Sequence, residues 1–317
     1  MTPVSSRDNS KPDNGAPKTM TKALGGDETV TGSKDSTARS PADSIALEFT
    51  DARRAGTALP DFPGIIPADL DGAYAVQEAA LGLWNEPIVG WKVGRIAPEL
   101  QAPMGADRVS GPVFRRNLWA STPGQTLDFP VFQGGFAAVE GEFIYRLGRD
   151  APAGKTDWST EEALDLADAL FVGVETAGSP LATINALGPL VVASDLGNNW
   201  GLILGAEVPA WRGRAFETLA CRTTIDGTLV GEGLASNLPG GPIGALAWLL
   251  GHCAARGRPL RAGDLVSTGA VTGVHDIVAG QSALIDFGPF GEILCRARPA
   301  GPLGSGEEET VHEHQSG

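Results

Sequence analysis

The stretch "AVEGEFIYRLGRD", Ala138 to Asp150, decides how this chain is read. Apolar and bulky residues (Val139, Phe143, Ile144, Tyr145, Leu147) fill it and Gly-Arg-Asp closes it, the pattern of a β-strand running into a polar turn. Inside the strand stand two carboxylates, Glu140 and Glu142. Side chains alternate across a strand, so both project from one face within a few ångströms. Like charges that close repel, and in a buried site one of them keeps its proton unless something offsets the charge. A divalent cation is the simplest offset, because hard cations take oxygen ligands and reverse the repulsion. A third acid completes such a set: Glu175 in "FVGVETAGS", flanked by Phe171, Val172 and Val174 with no counter-charge nearby. A solvated strand face is the plainer reading of Glu140 and Glu142 alone; the apolar setting of Glu175 tips the balance to a metal.

Composition narrows the alternatives. The 317 residues suffice for a sizeable core, and a net charge of −14 speaks against nucleic acid and anionic membranes as partners. Cys221, Cys253 and Cys295 are widely spaced and read as core thiols of a cytoplasmic protein. No apolar run reaches the length of a membrane span, and the first residues lack the apolar segment of a signal peptide.

Along the chain, residues 1–43 and 302–317 are polar segments with few large apolar groups and are expected to be disordered. Residues 44–88 carry two helical patterns, "SPADSIALEFTDARRAG", which ends in a helix stop, and "IIPADLDGAYAVQEAALGLWN"; together they predict a small helical N-terminal cap. Residues 89–301 change texture to short strands punctuated by Gly and Pro, among them "IVGWKVG", "LVVASD", "WGLILG" and "TTIDGTLVGEG". Two further helices are expected, "STEEALDLADALF" and "PIGALAWLLGHCAARG". The class is α+β, with a rolled or sandwiched, antiparallel-rich sheet.

Several chemistries are excluded. The histidines are His252, His275, His312 and His314, with no HExxH and no Cys/His cluster at zinc spacing. There is no GxSxG, and no glycine-rich loop leads into a helix with a lysine. Lys92, in "VGWKVG", stands out because a lysine in a buried strand is costly unless paired. It binds a carboxylate or moves a proton on one reading, and reaches water from an edge strand on the other. Asp195, Asn198 and Asn199 in "VVASDLGNNWGLILG" either face a ligand or form a turn. The loop "STGAVTG", Ser267 to Gly273, including Thr268 and Gly269, either holds an anionic oxygen or turns the chain.

Taken in order, from about Pro41 to Ala300, these segments resemble the fumarylacetoacetate hydrolase superfamily, in its 2-keto-4-pentenoate hydratase and 4-oxalocrotonate decarboxylase branch. The carriers are "GWKVG", "VEGEFIYRLGRD", "GVETAGSP", "SDLGNNWGLILG", and the order of "RGRPLRAGD", "TGAVTG" and "DFGPFG". The resemblance implies a mixed β-roll core and assembly into homo-oligomers. It implies Mg²⁺ or Mn²⁺ held by Glu140, Glu142 and Glu175, and a 2-oxo or 2-hydroxydienoic acid chelated to it. It also implies that Lys92 and Asp195 act in catalysis, with Asp107, Asn198, Asn199, Thr268 and Gly269 around the substrate.

Within the superfamily, the C–C hydrolases resemble one another in a His-Glu pair upstream of the metal strand and a Lys beyond the third ligand. No histidine precedes Glu140 here, and Thr176 to Asp195 contains neither Lys nor Arg. The expected activity is therefore that of a hydro-lyase, adding water to a 2-hydroxy-2,4-dienoate in aromatic or related catabolism. The alternatives are decarboxylation of a 2-oxo-enedioate, then acylpyruvate hydrolysis or a non-catalytic family member. The chain also departs from the hydratases. In "GADRVSGPVF" the loop keeps Asp107 but loses a second acid near Ser110; Pro180 replaces an Arg, and Asn198-Asn199 a Ser-Ser pair. Arg95 and Arg108 are the candidates for the missing positive charge.

Overall fold

The computed structural model describes residues 39–303, so most of both polar end segments lies outside the described residues. Two helices come first, α1 (Pro41–Ala55) and α2 (Leu70–Trp84). Ser40 caps α1 in a reciprocal box with Asp43, and Asp69 caps α2. Ile45, Phe49 and Arg53, spaced four apart, fall on the buried face of α1.

The remainder is strand-rich. It runs β1 (Ile88–Arg95), α3 (Pro98–Met104), β2 (Arg108–Phe114), β3 (Leu118–Ala120), β4 (Thr126–Val131) and β5 (Phe136–Leu147). Then follow α4 (Thr160–Leu166), β6 (Ala167–Ser179), α5 (Ile184–Leu187), α6 (Pro189–Ser194) and β7 (Asn199–Glu207). The chain continues with β8 (Ala220–Ile225), β9 (Thr228–Leu234), α7 (Gly241–Ala255) and β10 (Leu265–Ser267). Last come β11 (His275–Asp276), β12 (Ser282–Asp286) and β13 (Glu292–Pro299).

One sheet has the order β2-β1-β10-β5-β6-β7-β3, with β11 also paired to β5; the other is β4-β13-β12-β8-β9. Most pairs are antiparallel, while β1–β10, β3–β7 and β4–β13 are parallel. The sheets meet over one apolar core, where Phe143 of β5 packs edge-on against Phe287 at 5.6 Å. Ile45, Phe49, Val76 and Trp84 of the N-terminal helices belong to the same core. Cys221, Cys253 and Cys295 are buried free thiols. Among the described residues no helix is long and apolar enough to cross a membrane.

The α+β class with a mixed, curled sheet core matches the expectation, but two segments do not. "LVVASD", expected as a strand, is mostly helix α6: Pro189 at its first turn favours a helix start, and a short apolar run carries no periodicity that separates strand from helix. "STEEALDLADALF" is helical only to Leu166, after which Ala167 opens β6. Ser159 and Glu162 make a capping box at its start, but the helix stops where the long antiparallel pairing with β5 begins.

Candidate active site

Strands β5 and β6 pair with Glu140 directly opposite Glu175 and Glu142 opposite Gly173. Directly opposed residues share a face, so all three carboxylates project together. The glycines explain how the strands tolerate this. Gly141, between the two acids, points into the sheet–sheet core, where a Cβ would lie 2.4 Å from Cys221 Sγ. A Cβ on Gly173 would lie 2.0 Å from Ile144 Cδ1. The Glu-Gly-Glu spacing thus satisfies a tight core on one face and an acidic cluster on the other.

All three acids are buried, Glu142 completely. One oxygen from each lies within 4.8 Å of the others. Trp91 and Val93 enter the core while Lys92, between them, takes the other face. Its Nζ comes within 3.1 Å of Glu175 Oε1, an ion pair without the alignment of a directed hydrogen bond. Ser267 Oγ donates to Glu142 Oε2 at 2.6 Å and the Gly269 N–H to the same oxygen at 2.9 Å. The anionic oxygen held by this Ser/Gly loop is therefore the protein's own. Thr268 Oγ1 donates to the Phe143 carbonyl at 2.7 Å.

Electrostatics follow from crowding in a dry place. Burial pushes the Glu142 carboxyl up to about 7, and Glu140 adds to the shift against the opposing Ser267, Gly269 and Lys92. Burial also raises Glu140 and, more strongly, Glu175, in both cases against the pull of Lys92. Burial alone would lower Lys92, but the three carboxylates, Glu175 foremost, outweigh it and hold the ammonium above the usual lysine value. One cation does not neutralise three acids. Glu142 Oε1 and both oxygens of Glu175 have no hydrogen-bond partner among the described residues. Oxygen-only donors, mutually spaced within twice a ~2.0–2.6 Å ligand bond, fit a hard divalent cation.

A cavity of ≈ 300 Å³ opens in front of the cluster. Lys92, Glu140, Asp107, Asn198, Thr268 and Gly269 line it, as do Arg95 and Arg108. Arg108 bridges the Asp107 carboxylate and the Pro239 carbonyl. Two of the residues expected at the site do not line the cavity. Asp195 is not among the lining residues; it is fully buried, paired with Arg53, and accepts the Ser179 hydroxyl. Asn199 is likewise turned away, its Nδ2 donating to the Pro112 carbonyl at 2.6 Å. Both lie near the site in sequence, yet each carries a polar side chain whose partner is interior. Asn185 and Asn237 line the cavity without having been singled out, and an isolated Asn carries no local signal.

The fumarylacetoacetate (FAA) hydrolase C-terminal profile matches residues 123–308, a span that holds all three clustered glutamates. The chain belongs to the fumarylacetoacetate hydrolase family. A 2-keto-4-pentenoate hydratase of Burkholderia vietnamiensis is 27% identical over 234 residues, covering 72% of this chain and 86% of that protein. A protein named TodF product hydratase, of Pseudomonas putida, is 26% identical over 261 residues, covering 77% of this chain and 91% of its own. In fold, the chain resembles 4-oxalocrotonate decarboxylase from Pseudomonas putida G7, solved with magnesium and adipate. That likeness has a TM-score of 0.67 at 19% identity, over 81% of this chain and 97% of the other. The glutamates on β5 and β6 and Lys92 on β1 belong to the larger sheet, with β10 between β1 and β5.

Proposed function

We propose that this protein is a divalent-metal-dependent hydro-lyase that adds water to a 2-hydroxy-2,4-dienoate, giving a 4-hydroxy-2-oxo acid in aromatic or related catabolism. One observation carries the reading: three buried carboxylates, two of them with unpartnered oxygens, converge beside Lys92 at the wall of a cavity. Family membership and relatives named as hydratases supply the reaction class. Glu140, Glu142 and Glu175 would hold Mg²⁺ or Mn²⁺. When bound, the cation supplies Lewis acidity that stabilises charge developing at the C2 oxygen of a chelated 2-oxo acid.

The chain's own groups do the rest. The Lys92 ammonium, kept charged by its acidic neighbours, binds the substrate carboxylate or relays the enol proton. In net terms the enol hydrogen leaves O2 and a proton arrives at C5; water oxygen then bonds to C4 while a proton is placed on C3. Asp107 and the Asn198 amide face the cavity and are assigned to the dienol and the incoming water, in place of Asp195 and Asn199. Thr268 and Gly269 form the wall beside the carboxylates. Assembly into homo-oligomers and a cytoplasmic location belong to the same proposal.

Decarboxylation of a 2-oxo-enedioate is the second reading, favoured by one feature. Arg95 and Arg108 place cations along the cavity that a second substrate carboxylate would use. Incubation with 2-hydroxydienoates and 2-oxo-enedioates, with Mg²⁺ and with chelator, separates the readings by loss of dienoate absorbance, product mass and CO₂ release. Gain of water is the expected result. CO₂ release from enedioates alone selects the decarboxylase, and no metal-dependent turnover of either class overturns both.

A further inference from the structure

Arg53 does not line the cavity, yet its guanidinium organises one of the cavity's walls. Its Nε donates to Asp195 Oδ1 at 2.6 Å, Nη1 to the Asn199 carbonyl at 3.0 Å, and Nη2 to the carbonyls of Gly178 and Asp195 at 3.0 and 3.3 Å. The other Asp195 oxygen accepts Ser179 Oγ at 2.5 Å. One arginine, itself 1% exposed, thus grips both ends of the segment Asp195–Asn199.

Between those ends the backbone is unusual. Leu196, Gly197 and Asn198 have φ of 53°, 69° and 59°, three successive residues in the left-handed region, of which only one is glycine. Such a conformation persists only where the surroundings over-determine it. They do so here from two sides. The arginine fixes the ends, and the Leu196 carbonyl abuts Gly111, where a Cβ would come within 1.9 Å of that oxygen. The turn delivers one polar side chain to the cavity, that of Asn198. Its Nδ2 reaches Asn185 Oδ1 at 3.3 Å, and its Oδ1 is buried with no partner among the described residues. A buried acceptor without a donor marks a place for a ligand's hydroxyl or for water.

We infer that Arg53, acting through Asp195, is a positioning residue for the substrate: it holds the left-handed turn that aims the Asn198 amide oxygen at a hydroxyl of the substrate or at the water that adds. This rests on the hydro-lyase reading for its readout, and on the turn geometry for its substance. Helix α1 then sets the shape of a site to which it contributes no lining residue. A lysine cannot replace the planar fork that reaches Asp195, Asn199 and Gly178 together.

A double-mutant cycle on the preferred dienoate, with saturating Mg²⁺, tests it. Arg53→Lys should lower kcat/KM roughly 10- to 100-fold, mostly through kcat, with metal affinity unchanged. Asn198→Ala should cause a loss of similar size in the native background and little further loss in the Arg53→Lys background. Losses that multiply, or wild-type kcat/KM in an Arg53→Lys protein that merely melts earlier, overturn the inference. Should Arg53→Lys fail to fold, Ser179→Ala, which removes the hydroxyl donor to Asp195 and with it the acceptor of the Leu181 N–H, enters the same cycle. A crystal structure of either variant gives a readout independent of turnover. Residues 196–198 should leave the left-handed region, and an unchanged turn overturns the inference. A wild-type protein inactive on every dienoate and oxo acid overturns the hydro-lyase reading instead, and the turn geometry then decides the inference alone.

Discussion

Arg53 and Asp195 face one another singly, and each guanidinium nitrogen and each carboxylate oxygen has a partner; Lys92 faces three carboxylates and pairs with Glu175 Oε1, while Glu142 Oε1 and Glu175 Oε2 have no partner among the described residues. Both clusters are buried. The first is balanced in charge and saturated in hydrogen bonds, so it holds helix α1 to the segment before β7 and needs nothing more. The second would carry an excess of two negative charges if all three carboxyls were ionised (three carboxylates less one ammonium), which is why burial raises each of them, and it has orphaned acceptors. Folding alone gives no reason to keep such a cluster, since buried unpaired charge opposes it. Saturation is thus what separates a buried ionic group that holds structure from one that waits for a ligand.

The sharpest way to break this contrast is Glu142→Gln. Glutamine keeps an acceptor for Ser267 Oγ and the Gly269 N–H, so the fold should persist while metal-dependent turnover is lost outright; circular dichroism and assays across Mg²⁺ concentrations check both halves. Turnover that survives would remove the carboxylates from the chemistry. Arg53→Met should do the reverse to stability, costing about 3–5 kcal/mol in denaturant unfolding because Asp195 is left buried and unpaired. A cost within ~0.5 kcal/mol, the scale of ordinary surface changes, would mean that the pair is no clamp.

Lys92→Met comes next, with a loss of roughly a hundredfold in kcat/KM and a smaller change in melting temperature of the metal-loaded protein. Unchanged kinetics would leave Lys92 as a mere counter-charge. The smallest effect is a pH dependence. Glu142 is raised from 4.5 to about 7 in the fold, so its contribution to stability is fully present below pH 4.5 and lost as pH rises through about 7. The metal-free protein should lose melting temperature across that window. Added Mg²⁺ should restore it progressively, because the cation takes the deprotonated carboxylates. Glu142→Gln should flatten the dependence. A gap between chelator and Mg²⁺ melting curves that does not widen from pH 5 to pH 8 would contradict the assignment.

The acidic cluster was legible because its signal is local. Two glutamates alternate with a glycine inside one apolar strand and a third interrupts another, and strand periodicity alone puts Glu140 and Glu142 on one face. Antiparallel pairing of adjacent long strands then makes the meeting with Glu175 a matter of register, which the core face dictates through Gly141 and its contact with Cys221. The pairing of Asp195 with Arg53 was not legible in the same way. "ARRAG" reads as a helix stop, although Arg53 lies at the four-residue spacing of Ile45 and Phe49 and so on the buried face. What that burial meant depended on a carboxylate 142 positions along the chain.

By itself, then, the sequence determined the face on which the acids lie, the strand-rich class, and the lysine that had to be explained. These follow from periodicity and from the cost of burying charge, which act within a few residues. The tertiary structure decided whether "LVVASD" became helix or strand, whether Asp195 faced a ligand or an arginine, and which asparagine reached the cavity. Each of those outcomes turns on a partner supplied by another element. A buried polar group is settled only when the chain brings its partner to it.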